Sequence, residues 1–251
     1  MGEWHVEVLA GLALLALLYT RGVRALTGPL PRGRALLFAG GLAVLALALN
    51  GPLHDLSDRY LFSAHMVQHL LLTLVAPPLL LAGLPPGVLG PVMRHRAVTA
   101  ILSRLCRPPV AFVLYNVTLV VWHLPGPYNL ALEHHGLHVI EHLTFIATAL
   151  LAWWPILSPD ARLPRAAYPA QLLYLFLFGL PMTAVAALIT MAEAPLYPFY
   201  AAAPRVFGLS PIEDQRLGGL IMWVPAGVVP LAAFTAVFFR WVAAERDEET
   251  A

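Results

Sequence analysis

A chain of 251 residues that is 59% hydrophobic and only 12% charged, with a mean hydropathy of +0.74, lies far from a soluble domain and reads as a polytopic membrane protein. Its single cysteine, Cys106, excludes an internal disulfide framework and a CxxC motif, so any metal must rest on His, Met, carboxylate or amide ligands. The net charge of +1 gives no argument for a nucleic-acid partner, and none is expected.

Seven apolar runs of spanning length follow one another, at about 4–20, 34–50, 61–83, 108–123, 136–157, 168–191 and 214–242. They predict an all-α, seven-transmembrane-helix bundle in which residues 1–251 form a single transmembrane domain. The opening MGEWHVEV is acidic and lacks the positive n-region of a signal peptide, so the first run is expected to be a retained span with the mature chain starting at or near Met1. Gly and Pro punctuate each connector, from TGPLPRGR to the long EAPLYPFYAAAPRVFGLSPIED. The tail AAERDEETA is expected to be a short, charged, frayed end.

Arginine sets the orientation. Twelve arginines flank the connectors 1–2, 3–4 and 5–6 and the C-terminal end, against three (Arg59, Arg205 and Arg216) on the other side. The positive-inside rule therefore puts the N-terminus outside and the C-terminus in the cytoplasm. With that topology nine of the ten histidines fall at or near the extracytoplasmic ends of their segments, leaving only His95 in an arginine-rich cytoplasmic connector.

His65 and His69, in SAHMVQHLLLTLVAPPLLLAGLPP, are four residues apart at the outer mouth of the third span, so a helix stacks them on one face. That spacing lets two imidazoles share a metal; it also suits two interfacial histidines bonded to loop carbonyls. Met66 adds a thioether at the same rim. LHVIEHL repeats the pattern with His138 and His142 on the fifth span and inserts Glu141, which inside a membrane needs a cation, a His N–H or a proton as partner. His123, in VVWHLPGPY, ends the fourth span as a further ligand or as a belt histidine, with Trp122 and Tyr128 at aromatic-belt depth. His5, His54, His134 and His135 are terminal or loop residues and are expected to be solvated. Asp214 and Gln215 open the seventh span, where a carboxylate caps the N-terminal N–H groups of its helix or serves the site indirectly. Gly218 and Gly219 allow close packing one turn deeper, Met222 follows, and Met191 at the outer end of the sixth span could reach the same layer, though such methionines are more often packing. The inner halves LVAPPLLLAG and FIATALLAWW carry no ligand ladder, which disfavours a through-going ion path.

Together SAHMVQHLLLTLVAPPLLLAGLP, VVWHLPGPY, LHVIEHL with the later WWP, LYPFYAAAPR and SPIEDQRLGGLIMWVP resemble the polytopic CtaG-type cytochrome c oxidase assembly family over residues 30–243. The resemblance implies a multi-pass protein of the bacterial cytoplasmic (inner) membrane that matures haem–copper oxidase by handling copper. Its partners would be the lipid bilayer and either oxidase subunits or periplasmic copper chaperones. The matched positions are His65, Met66, Gln68, His69, His123, His138, Glu141, His142, Asp214, Gln215 and Met222. Imidazoles with methionines on the oxidising side favour copper over zinc independently of the resemblance. No nucleophile–base arrangement accompanies them, so binding is expected rather than catalysis. The alternatives are a bis-His haem protein and a metal-dependent membrane oxidoreductase using Glu141.

Overall fold

The computed structural model describes residues 4–27, 29 and 31–249; the expected start at Met1 and the final Thr250 and Ala251 of the tail lie outside the described residues. Among the described residues there are helices and no strands. In chain order they are α1 (Val6–Thr27), α2 (Arg32–Ala48), α3 (Gly51–Arg59), α4 (Phe62–Leu70), α5 (Ala76–Gly83), α6 (Gly90–Met93), α7 (Arg96–Leu105), α8 (Pro108–His123), α9 (Pro125–Glu133), α10 (His135–Leu157), α11 (Tyr168–Phe178), α12 (Leu180–Met191), α13 (Pro198–Ala202) and α14 (Pro211–Glu249).

Among the described residues, five helical segments are long and apolar enough to cross a membrane: Val6–Leu26, Phe62–Gly83, His135–Leu157, Tyr168–Met191 and Pro211–Glu248. The number rises to seven if two bent pairs, Arg32–Ala48 with Gly51–Arg59 and Arg96–Leu105 with Pro108–His123, each count as one span. Large apolar side chains such as Leu36, Phe176, Leu188 and Val228 remain exposed on the outer faces, as a lipid-facing surface requires. The expected frayed tail is instead helical through Glu249, since AAERDEE is built from helix-forming residues and extends a helix already nucleated.

Proline and glycine shape the elements that position the centre. Gly51, with φ of +70°, turns the chain at the end of α2, so that α3 departs from the α2 direction by 45°. A π-helical turn, Leu71–Val75, joins α4 to α5 immediately before Pro77 and Pro78. Neither proline has an N–H for the Thr73 carbonyl, and the Trp153 indole of α10 donates to that oxygen at 3.0 Å instead. The break thus becomes a tie between α4–α5 and α10. Pro125 ends α8 directly after His123 and starts α9.

Packing closes around these ties. α2 lies along α5, α10 along α8, and α14 against α4, α11 and α12. A Cβ at Gly218 would overlap the Phe62 ring, and one at Gly219 would overlap Thr190, so the expected close approach occurs at both. The principal core runs from Phe62, Met66 and Tyr128 at one end, through Phe145 and Trp153, to Val237. A smaller core joins α1, α2 and α5 around Tyr19, Phe38 and Leu80.

Candidate metal centre

On α4 the four-residue spacing sets the His65 and His69 rings 4.1 Å apart, and on α10 it sets His138 and His142 4.2 Å apart. The two helices bring these pairs face to face, with ring centroids 5.4 Å apart for His65–His138, 6.0 Å for His65–His142 and 5.8 Å for His69–His142. His123, at the end of α8, closes the group at 5.7 Å from His69. All five histidines and Glu141 are buried.

The hydrogen bonds fix which ring nitrogens are free. A backbone carbonyl only accepts, so His123 Nδ1 carries the proton it donates to Leu119 O at 2.7 Å. Burial pushes the Tyr200 phenol well above its ordinary pKa, which keeps it a donor, and it donates to Ser57 O. Its oxygen must then accept from His65 Nδ1, 2.8 Å away. His138 Nδ1 faces Asp58 Oδ2 at 3.4 Å and donates to it. In each ring the remaining Nε2 keeps its lone pair, and the Nε2 atoms of His65, His123, His138 and His142 are all buried without a partner. Both nitrogens of His69 and both carboxylate oxygens of Glu141 are also buried and unpartnered by hydrogen bonds, with His69 Nε2 and Glu141 Oε1 3.5 Å apart.

Orphaned buried polar atoms are costly, and here they point toward one another. Among the described residues, two triads have donor atoms all within 4.8 Å of one another: His65, His138 and His142, and His65, His69 and Glu141. Each is suited to hold a metal ion: His65 and His138 offer one nitrogen while the other is anchored outside the site, and both nitrogens of His69 are without a hydrogen-bond partner.

Outside the centre, Asp58 accepts from two histidines, His138 Nδ1 and His54 Nε2, each at 3.4 Å. Gln68 Nε2 donates to Ala48 O at 2.8 Å and to His54 Nδ1 at 3.0 Å, so His54 has no lone pair left for a metal. The expectation of a solvated His54 is therefore corrected: α3 packs on α4 and buries it against His138 and His142, where it holds Asp58. His5 is partly buried, 4.7 Å from His54 in an edge contact, while His134 and His135 are exposed as expected.

Other expected site residues act elsewhere. The Asp214 carboxylate does not cap its own helix; it accepts from Phe62 N at 2.7 Å, Ser63 N at 3.1 Å and Ser63 Oγ at 2.5 Å, capping the helix that carries His65 and His69. The start of α14 is served by Ser210 and Glu213, whose reciprocal bonds form a capping box. Gln215 accepts from Leu196 N at 2.6 Å and donates to Ile189 O at 3.2 Å, pinning the loop that leads to Tyr197 and Tyr200. Met66 and Met222 are buried in the principal core, and Met191 is exposed. Tyr128 is not a belt residue; it is buried 5.2 Å from the His65 ring. Tyr197 donates to His123 O at 2.9 Å.

Sequence reading missed Asp58, Ser57, Tyr197 and Tyr200. The i, i+4 pair His54–Asp58 in GPLHDLSD was a usable signal; the tyrosines of LYPFY offered none beyond their polarity.

A protein-family model described as cytochrome c oxidase caa3 assembly factor (Caa3_CtaG) matches residues 17–244. An uncharacterized protein of Mycobacterium bovis is 26% identical over 273 residues, covering 97% of this chain and 40% of the relative. An uncharacterized protein of Mycobacterium leprae is 24% identical over 278 residues, covering 99% and 40% respectively. The chain thus spans about two fifths of the length of the curated relatives it matches. No solved structure matches it.

Proposed function

We propose, from the premise that this chain belongs to the cytochrome c oxidase caa3 assembly factor family, that it binds copper in the buried histidine centre and passes it to a haem–copper oxidase during assembly. Copper here is cargo. The observation that carries the reading is the set of buried imidazole nitrogens left without partners while their ring partners are fixed by Leu119 O, Tyr200 and Asp58. Imidazole donors suit copper, and the buried Glu141 carboxylate offsets part of a cation's charge where water cannot. The sequence places no nucleophile–base motif with the ligands, which favours binding over turnover.

The same reading gives the protein seven spans in the bacterial inner membrane, with the N-terminus outside and the C-terminus in the cytoplasm. The centre then opens toward the periplasm, where copper chaperones would supply the metal and oxidase subunits would receive it. The arginine asymmetry of the connectors supports this orientation.

Metal analysis and an absorption spectrum of the purified full-length chain test the proposal. Copper should copurify or bind tightly, and alanine at His65, which both triads contain, should sharply lower its occupancy, while alanine at His69, His138 or His142 should each weaken it. A second change within the same triad should add less than the sum of the singles, because those ligands share one ion. His95→Ala should have no effect. A Soret band would put haem in the centre instead, and full copper retention in all four variants with normal oxidase maturation would make the histidines structural.

A further inference from the structure

The two triads share one residue, and that residue has one lone pair to give. We infer that the centre is a pair of overlapping, mutually exclusive seats for a single ion, an outer one of three imidazoles and a deeper one containing a carboxylate, with the ion's charge deciding which is occupied. This rests on the metal-binding reading above and deepens it.

The outer seat is His65, His138 and His142; the deeper seat is His65, His69 and Glu141. His65 Nδ1 is committed to the Tyr200 oxygen, whose own proton goes to Ser57 O. Only His65 Nε2 remains, and an in-plane lone pair on one nitrogen binds one ion. If an ion in the outer seat holds that nitrogen, the deeper seat is reduced to His69 and Glu141, and the converse holds for His138 and His142. Filling both seats also sets two cations within a few ångströms in a buried, low-dielectric space, where their repulsion is large.

The surroundings of the seats differ in the direction this assignment requires. The outer seat borders the polar face, where His54 lies 6.1 Å from His138 and 6.4 Å from His142, and Asp58 backs His138. Along α4 and α10, His69 and Glu141 lie about one turn below His65 and His138, and His142 shares the turn of Glu141, so the seats differ in depth mainly through His69. Around the deeper seat, the His69 ring packs 4.6 Å from Phe145. The all-imidazole seat is therefore the one that borders α3. Three neutral nitrogens leave a divalent ion's charge uncompensated in a buried site, whereas the Glu141 carboxylate offsets part of it. A monovalent ion has less to gain from the carboxylate, so the imidazole seat suffices for it.

Silver(I) and zinc(II), neither of which changes oxidation state on binding, serve as the monovalent and divalent probes on the full chain in detergent. The wild-type chain should bind one equivalent of either, and each should displace the other. Glu141→Gln should weaken zinc(II) about tenfold or more and leave silver(I) within about threefold, while His142→Ala should weaken silver(I) more than zinc(II). Two equivalents of one metal, simultaneous binding of both, or equal weakening of both metals by Glu141→Gln would overturn the shared seat and leave the metal-binding proposal standing. A wild-type chain that binds neither metal sinks both. The stoichiometry needs no variant, so it decides the question even if a substitution impairs folding.

Discussion

At the scale of single residues, the centre is built by side chains that touch no lone pair in it. Gln68 holds His54, His54 and Asp58 hold His138, and Tyr200 holds His65. Removing such a support from a metal site typically costs 10- to 100-fold in affinity, so Asp58→Asn and His54→Ala should each weaken copper binding by about that range without altering the helical content. Competition titration against a chelator checks this, and an unchanged affinity would make the Asp58 contacts incidental. A different carboxylate gives a pH prediction. Arg162 donates to Asp160 through Nη2 at 2.6 Å and Nε at 2.9 Å, which holds the Asp160 carboxyl below the usual range. A lowered carboxyl stabilises the folded loop above its unfolded pKa, and that contribution is lost as pH falls through the folded value. Thermal melts should therefore be insensitive to this group above about pH 5 and lose stability below about pH 4. Asp160→Asn should abolish that part of the acid dependence.

At the scale of elements, α4 is set by its neighbours more than by its own residues. Its first turn has no side-chain cap of its own and depends on Asp214 reaching across from α14. Asp214→Ala should cost about 1–2 kcal/mol, read as a lower melting temperature, and should shift His65 enough to weaken metal binding as well. If stability falls with affinity unchanged, the cap serves the helix and not the centre. Gly219→Val should be more damaging, because the added side chain has to displace Thr190 and the α12 backbone beside it.

At the scale of the whole molecule, the proposed orientation makes a joint prediction. Reporter fusions at Leu30, which lies outside the described residues, and at Val92 and Asp160 should all be cytoplasmic. Fusions in the 124–134 and 203–210 connectors should be periplasmic. A periplasmic signal at Val92 or Asp160 would remove the argument for metal exchange with periplasmic partners, since α4 and α10 enter from the same side.

Legible in the chain itself were the apolar segments, the pairing of histidines on each of two helices, and the place of Glu141 between His138 and His142. These follow from local periodicity: hydrophobic length marks a span, and an i, i+4 repeat stacks side chains on one helix whatever surrounds it. Tertiary structure alone decided which nitrogens are free, that His54 is buried, and that Asp214 caps α4 from 151 residues away. Those depend on contacts between segments distant in sequence. His54 reads as a loop residue until α3 is packed against α4 beside the centre, and a carboxylate at a helix start reads as its own cap until another helix is packed beside it. Burial and hydrogen-bond partnership are properties of the packed molecule, and no window of the chain contains both halves of either contact.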